Sequence, residues 1–235
     1  PYPGHIVVLV DWLEEHGMKD IPIRKITPEN ITDFFYYLGR EKGLDRSTCE
    51  KYFLNIRQLF FYARKKKELE AIPFDDVIFP RKKKDQGADV IHSSHLKPLL
   101  LEIKQADPQL FLACMIQYYC FIRPGKELRL LKVGDIDLDA GLITVRQENA
   151  KNKKRQIVTM PQQLIDICRE YHLDTVEKSL FIFGKKRRFN DKPCNVNMLR
   201  CRFNLIRDRM SLPKGYKFYS MKHTGASNLH LSGIS

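Results

Sequence analysis

Lys222 and His223 stand side by side in "YSMKHTGAS", where a helix is expected to begin. A cation next to an imidazole suits a phosphate: the ammonium offsets charge on its oxygens, and the imidazole holds it or assists a proton transfer. Two other basic stretches, far away in sequence, could serve the same chemistry. In "FIRPGKELRLLKVGDIDLDAG", Arg123 leaves an apolar segment at an Arg-Pro-Gly turn and offers a planar fork of donors. In "AKNKKRQIVTMP", Lys151, Lys153, Lys154 and Arg155 crowd a turn. Each stretch alone has an ordinary explanation. Arg123 could pair with Glu127, the lysines could be solvated, and His223 could be a satisfied histidine at a helix start.

The elements that must position these residues change period along the chain. In "ITPENITDFFYYLGREKG", Thr27 reads as an N-cap and Pro28 as the first helical residue. Ile31, Phe34, Phe35 and Leu38 share one face of that helix, and Gly39 or Gly43 ends it. Ser47, with Glu50 three residues on, is expected to open the next helix by a capping box. Phe53, Ile56, Phe60 and Ala63 are its apolar face, while Arg57 and Arg64 lie on another, as phosphate contacts or as a solvated face. "FPRKKKDQGADVIHSS" has no periodicity and reads as a linker.

Beyond it come the helices "SSHLKPLLLEIKQA" and "DPQLFLACMIQYYCFI", the latter capped by Asp107 and apolar nearly all round, hence buried. "GLITVR" and "RQIVTM" alternate as a β-hairpin with a lysine-rich tip, followed by the helix "QQLIDICREYHL" and a short strand in "SLFIF". "NVNMLRCRFNLIRDRM" is an amphipathic helix with Leu199, Phe203, Ile206 and Met210 as its stripe. Arg200, Arg202, Arg207 and Arg209 are expected on its remaining surface, as on a helix laid on DNA.

Charge is distributed unevenly. Residues 1–80 hold 12 Lys and Arg against 13 Asp and Glu, whereas residues 81–235 hold 29 against 15. A near-neutral part joined to a strongly basic one points to a polyanion bound mainly by the second, with nucleic acid favoured. The six cysteines show neither a CxxC spacing nor a His/Cys cluster, so reduced structural thiols in a cytosolic protein are expected rather than a zinc site. No apolar run is long enough to span a membrane. A metal-dependent nuclease is disfavoured, because no acidic triad has a ligand-like arrangement.

Taken in order, these stretches resemble the tyrosine recombinase (phage integrase) family over essentially the whole chain. "ITPENITDFFYYLGREKGLDRSTCEKYFLNIRQLFFYARKKKELEAIP" resembles its core-binding domain, "RPGKELRLLKVGDIDLDAGLITV" the stretch with its first catalytic arginine, "AKNKKRQIVTMP" the hairpin with its catalytic lysine, and "YSMKHTGAS" its H-x-x-R-H box. The resemblance implies a mainly α fold: a helical core-binding domain (1–80), a linker (81–93) and an α+β catalytic domain with a small antiparallel sheet (94–235).

It also implies DNA cleavage and rejoining by a tyrosine through a 3′-phosphotyrosyl link, without cofactor or metal. Arg123, Lys151, Lys222 and His223 would be catalytic, with Lys151 as general acid. Arg57, Arg64, Lys153, Arg200, Arg202 and Arg207 would contact double-stranded DNA. The nucleophilic tyrosine is expected beyond Ser235. Full-length protomers would act as a homotetramer on DNA in the bacterial nucleoid, this chain alone being a monomer. Three positions depart from the pattern: Tyr219 and Lys222 stand where histidine and arginine are usual, and Glu127 follows Arg123 by four positions rather than three. The rival reading is a recombinase relative that binds DNA as a regulator without cutting it.

Overall fold

The computed structural model describes residues 3–74 and 88–233. The chain divides into two compact units, residues 1–85 and 86–235, each with its own apolar core. Residues 81–87 of the expected linker, with their basic run, lie outside the described residues.

The first unit is helical: α1 (Pro3–Glu15), α2 (Pro28–Arg40) and α3 (Arg46–Lys65). The Thr27 hydroxyl accepts the Asn30 N–H at 3.3 Å, and the Asn30 side chain accepts the Thr27 N–H at 3.0 Å. This reciprocal cap starts α2, whose Ile31, Phe34, Phe35 and Leu38 are fully buried. Trp12 of α1 meets Phe34 edge-on at 5.5 Å, and Phe60 of α3 meets Phe74 at 5.1 Å. Each such side chain contributes roughly 1.5–3 kcal/mol by leaving water.

Two expectations are corrected here. The cap of α3 is Asp45, not Ser47, since its carboxylate accepts the Thr48 N–H at 2.8 Å. Helix α1 was not foreseen: β-branched Ile6, Val7, Val8 and Val10 weaken its intrinsic propensity, and burial of Leu9, Trp12 and Leu13 supplies what propensity lacks.

The second unit holds α4 (Ser93–Ala106), α5 (Pro108–Cys120), the single turn α6 (Lys126–Arg129), β1 (Ile136–Asp137), β2 (Leu142–Val145), β3 (Gln156–Thr159), α7 (Gln162–Glu170), α8 (Met198–Arg209) and α9 (Ser220–Leu231). The sheet is antiparallel in the order β1-β2-β3, with Ile143 paired to Ile136 on one side and Val158 on the other. Ile143 and Val145 point into the core, as period-2 alternation requires. "SLFIF" is not a strand. Phe181 forms single bridges to Lys132 and to Asn190, so the segment is tied at isolated residues to two different neighbours.

Helix α5, buried on almost every side, is the central post of this unit. Helix α9 packs directly on it through Gly225, where a Cβ would lie 1.9 Å from the Tyr118 carbonyl oxygen. Thr224 accepts the Ile91 N–H at 2.9 Å and donates to the Ser220 carbonyl, tying α9 to the segment that enters α4. Because the obstacle is backbone, Gly225→Ala is expected to push the helices apart. A loss of about 1–3 kcal/mol should follow, read as a lower urea midpoint. An unchanged midpoint would show that the two helices adjust freely.

Candidate active site

The chain leaves α5 abruptly. Phe121 adopts a left-handed conformation (φ 54°), donating to the Gln117 carbonyl at 3.1 Å. That geometry costs a non-glycine residue roughly 1–2 kcal/mol, and it carries Arg123 out of the core to a side-chain exposure of 39%. One turn of α6 then returns the chain beneath it. Glu127, only 5% exposed, accepts three hydrogen bonds there. Arg123 Nη1 donates to Oε1 at 2.8 Å and the Arg123 N–H to Oε2 at 3.1 Å, while the Lys151 N–H donates to Oε1 at 3.0 Å. A spacing of four suits this, because residues four apart in a helical turn share a face. Burial pushes the Glu127 carboxyl up, but the hydrogen bonds from Lys151 and Arg123, with the arginine's charge, hold it below the usual glutamate value.

The Lys151 bond fastens the hairpin tip to the arginine turn. Where β2 runs into the hairpin tip, Asp135 accepts Arg146 Nε at 2.8 Å; it also accepts the Lys132 N–H at 2.9 Å. Between turn and tip lies a cleft of about 410 Å³, lined by Arg123, Glu127, Asn149, Lys151, Lys153 and Tyr219 among others.

Helix α9 presents its first turn beside this cleft, with the Lys217 N–H bound to the Ser220 hydroxyl at 3.0 Å. Lys222 Nζ lies 5.9 Å from the centre of the Tyr219 ring, and the His223 ring meets that ring edge-on at 4.8 Å. Burial first, then the charge of Arg123, lowers the Lys222 pKa from the ordinary lysine value, against a smaller opposing pull from Glu127. The Arg123 pKa is raised, chiefly by its hydrogen bond to Glu127 and that group's charge, with Tyr219 adding a lesser charge and hydrogen-bonding contribution. Arg123 and the Lys151 backbone thus converge on one buried carboxylate at the cleft, whose lining also carries the Lys151 and Lys153 side chains.

Residues 89–235 match the phage integrase family, and residues 8–84 match the phage integrase SAM-like domain. The chain belongs to the phage integrase family. Its fold is similar to that of the Tn1549 transposon integrase solved in complex with transposon right end DNA, at a TM-score of 0.76 and 17% identity over 98% of this chain and 81% of that one. It is also similar to a lambda integrase dimer bound to a COC′ core site (TM-score 0.72, 16% identity, 97% and 79% covered). A lambda integrase tetramer bound to a Holliday junction gives a TM-score of 0.72 at 15% identity, covering 97% of this chain and 66% of that one. No curated protein matches the chain.

Not every residue expected at the DNA of this tyrosine recombinase family member is free to reach it. Arg202 is 5% exposed; it donates through Nε and Nη2 to both oxygens of buried Asp107 and through Nη1 to Gln109 at 2.9 Å. Arg207 is equally enclosed, with Nη1 on the Tyr216 carbonyl at 2.9 Å and Nη2 on Asp208 at 2.7 Å. Both are corrected from the expected surface of α8 to buried positions: they flank the Leu199–Phe203–Ile206 stripe closely enough to be drawn under with it.

Arg200 is exposed on α8, outside the residues lining the cleft. In the first unit, Arg57 is half-buried over Phe61 at 4.9 Å, and exposed Arg64 covers the same ring at 5.1 Å. Sequence reasoning allowed an Arg123–Glu127 pair, which forms, but missed that the same carboxylate accepts the Lys151 N–H from a hairpin 24 residues away.

Proposed function

We propose that this chain contains the core-binding (1–80) and catalytic (94–235) parts of a site-specific recombinase that cuts and rejoins DNA by phosphoryl transfer through a 3′-phosphotyrosyl link, for a bacterial mobile element. The observation that carries this reading is the Glu127 knot: one buried carboxylate holds the Arg123 guanidinium and the Lys151 backbone against a single basic cleft. A phosphodiester in that cleft would meet the Arg123 donors that Glu127 leaves unused. Lys222 would neutralise non-bridging oxygens without a bidentate fork. Lys151 would protonate the 5′ leaving oxygen, and His223 would assist that transfer or hold the phosphate. Rejoining reverses these roles. Lys153, Arg200, Arg57 and Arg64 would contact the duplex. Four protomers would assemble on the DNA, as the lambda integrase tetramer does on a Holliday junction.

Covalent trapping tests the proposal. Full-length protein is incubated with nicked duplex from the element's own junction and run on a denaturing gel, where a protein–DNA adduct is expected. Tight, salt-sensitive binding without any adduct would favour a DNA-binding regulator instead.

Lys222 adds a pH signature. Its lowered pKa means that the ammonium is lost at a lower pH than in an ordinary lysine, whereas arginine stays charged throughout. Cleavage by Lys222→Arg relative to the natural protein should therefore climb as pH rises, by up to about tenfold per pH unit above the lysine's pKa. A ratio independent of pH would remove Lys222 from the charged site.

A further inference from the structure

A second basic cavity, of about 410 Å³, takes no part in the roles above; Gly184, Lys185, Lys186, Arg187, Cys194 and Arg202 are among its lining residues. It is edged by the loop "GKKRR", whose four cations, Lys185 to Arg188, are all exposed. Among the described residues, none of Lys185, Lys186 and Arg188 has an ion pair. Arg187 comes only within 3.8 Å of Asp107, a carboxylate whose two oxygens Arg202 already holds. Across residues 184–200, Asp191 is the single acid against six Lys and Arg.

A merely solvated run would not be braced as this one is. Lys186 and Arg187 both hold left-handed backbone (φ 58° and 57°), which residues other than glycine adopt at a cost. Gly184 permits the close return of the chain: a Cβ there would lie 2.4 Å from the Asn190 Cβ and 2.5 Å from the Arg188 carbonyl oxygen. The Lys185 N–H donates to the Lys192 carbonyl at 3.1 Å. Buried Gln109 donates to the Ile182 carbonyl at 2.9 Å and, more weakly, to the Arg188 carbonyl at 3.4 Å, while accepting Arg202 Nη1. The Asp107–Arg202–Gln109 network is thus the footing of the loop. Fixed cations with no acid to answer them suit an anion of fixed geometry. The cavity is also joined to the cleft through α6. Lys126 and Glu127 line the cleft, and Arg129, the last residue of that turn, donates to the Cys194 carbonyl at 2.8 Å. Four helical residues span only about 6 Å, whereas duplex DNA offers a charge every ~1.7 Å of its axis, so one duplex can engage both.

The geometry points to a second phosphate site: Lys185, Lys186 and Arg187 bind backbone phosphates of the duplex, apart from the scissile phosphate at the Arg123 cleft. The proposal rests on the recombinase reading and adds to it an anchor that takes no part in the chemistry. Contacts to phosphate carry no sequence information, so the anchor holds junction DNA and unrelated duplex equally.

Full-length protein carrying Lys185→Gln, Lys186→Gln and Arg187→Gln together loses three charges and keeps long side chains on the same backbone. Its duplex binding is followed across a salt series. The slope of log affinity against log salt is expected to be shallower by about 2–3, and affinity near ~0.15 M salt lower by about 30–150-fold, on junction and unrelated duplex alike. The charge-retaining set Lys185→Arg, Lys186→Arg and Arg187→Lys should keep the natural slope. Weaker binding at the natural slope would mean that the loop acts through the fold, and natural affinity at the natural slope that it stands clear of DNA. Either result overturns the proposal. So does a loss confined to junction DNA, which would make the loop a reader of bases, and so does an equal fall in slope with the charges retained. The salt slope needs no strand cleavage. If the natural protein forms no adduct, the recombinase reading fails while the loop is still judged by the slope; if the natural protein binds no duplex, both fail.

Discussion

Arg123→Ala is expected to lower the rate of covalent adduct formation by about 10²–10³, the usual cost of losing one preorganised oxyanion donor, while duplex binding persists. Among the described residues, the guanidinium is the only planar fork held at the cleft by a buried acid, and it is half exposed, so its free donors face whatever enters. Arg123→Lys keeps the charge without the fork and should fall between the two.

A second consequence separates a chemical loss from a folding defect. Glu127's folded pKa lies below the ordinary glutamate value, so its interactions contribute stability that is present above that ordinary value and lost as pH falls through the folded pKa. Removing the arginine weakens this contribution. The difference in urea stability between variant and natural protein should be largest near neutrality and shrink in acid. Adduct formation at the natural rate would exclude Arg123 from the chemistry, and a stability difference independent of pH would show that Glu127 does not depend on it.

How far the sequence reveals this protein depends on the range of each interaction. Local signals are legible: Thr27 with Pro28, Asp107 with Pro108, and the alternation of Leu142–Val145 each describe contacts made within a few residues. The basic stretches around Arg123, Lys151 and Lys222 are legible too, because charge at a turn or a helix start is visible in one dimension. Their convergence is not. It depends on Glu127 meeting Lys151 across 24 positions and on Gly225 letting α9 approach Tyr118.

The errors have the same origin. Arg202 looks like a surface arginine until Asp107 arrives from 95 positions away, and α1 looks like a poor helix until Phe34 covers Trp12. Tyr219 and Lys222 read as departures from a pattern, whereas in the fold the ring of one supports the ammonium of the other.

The pairing of Asp107 with Arg202 carries the largest expected effect on stability. Asp107 caps α5, accepting the Leu110 N–H at 3.0 Å, and holds Arg202 by two hydrogen bonds in a region where both side chains are about 5% exposed or less. Asp107→Asn keeps a good capping side chain but removes the negative charge, stranding a buried guanidinium whose other hydrogen bond goes to Gln109. A loss of about 3–5 kcal/mol is expected, and Asp107→Ala should add about 1 kcal/mol for the missing cap. The compensated pair Asp107→Leu with Arg202→Met should recover most of the charge penalty, because two apolar side chains of similar volume leave no buried charge unpaired. Urea unfolding at neutral pH reads all three. If Asp107→Asn costs under about 1 kcal/mol, Arg202 can relax to solvent, and its assignment as a structural cation rather than a DNA contact fails with it. If the cost is large and the double variant restores it, loss of DNA affinity in Arg202→Ala is a folding defect, to be kept apart from the losses expected at Arg200 and Lys153.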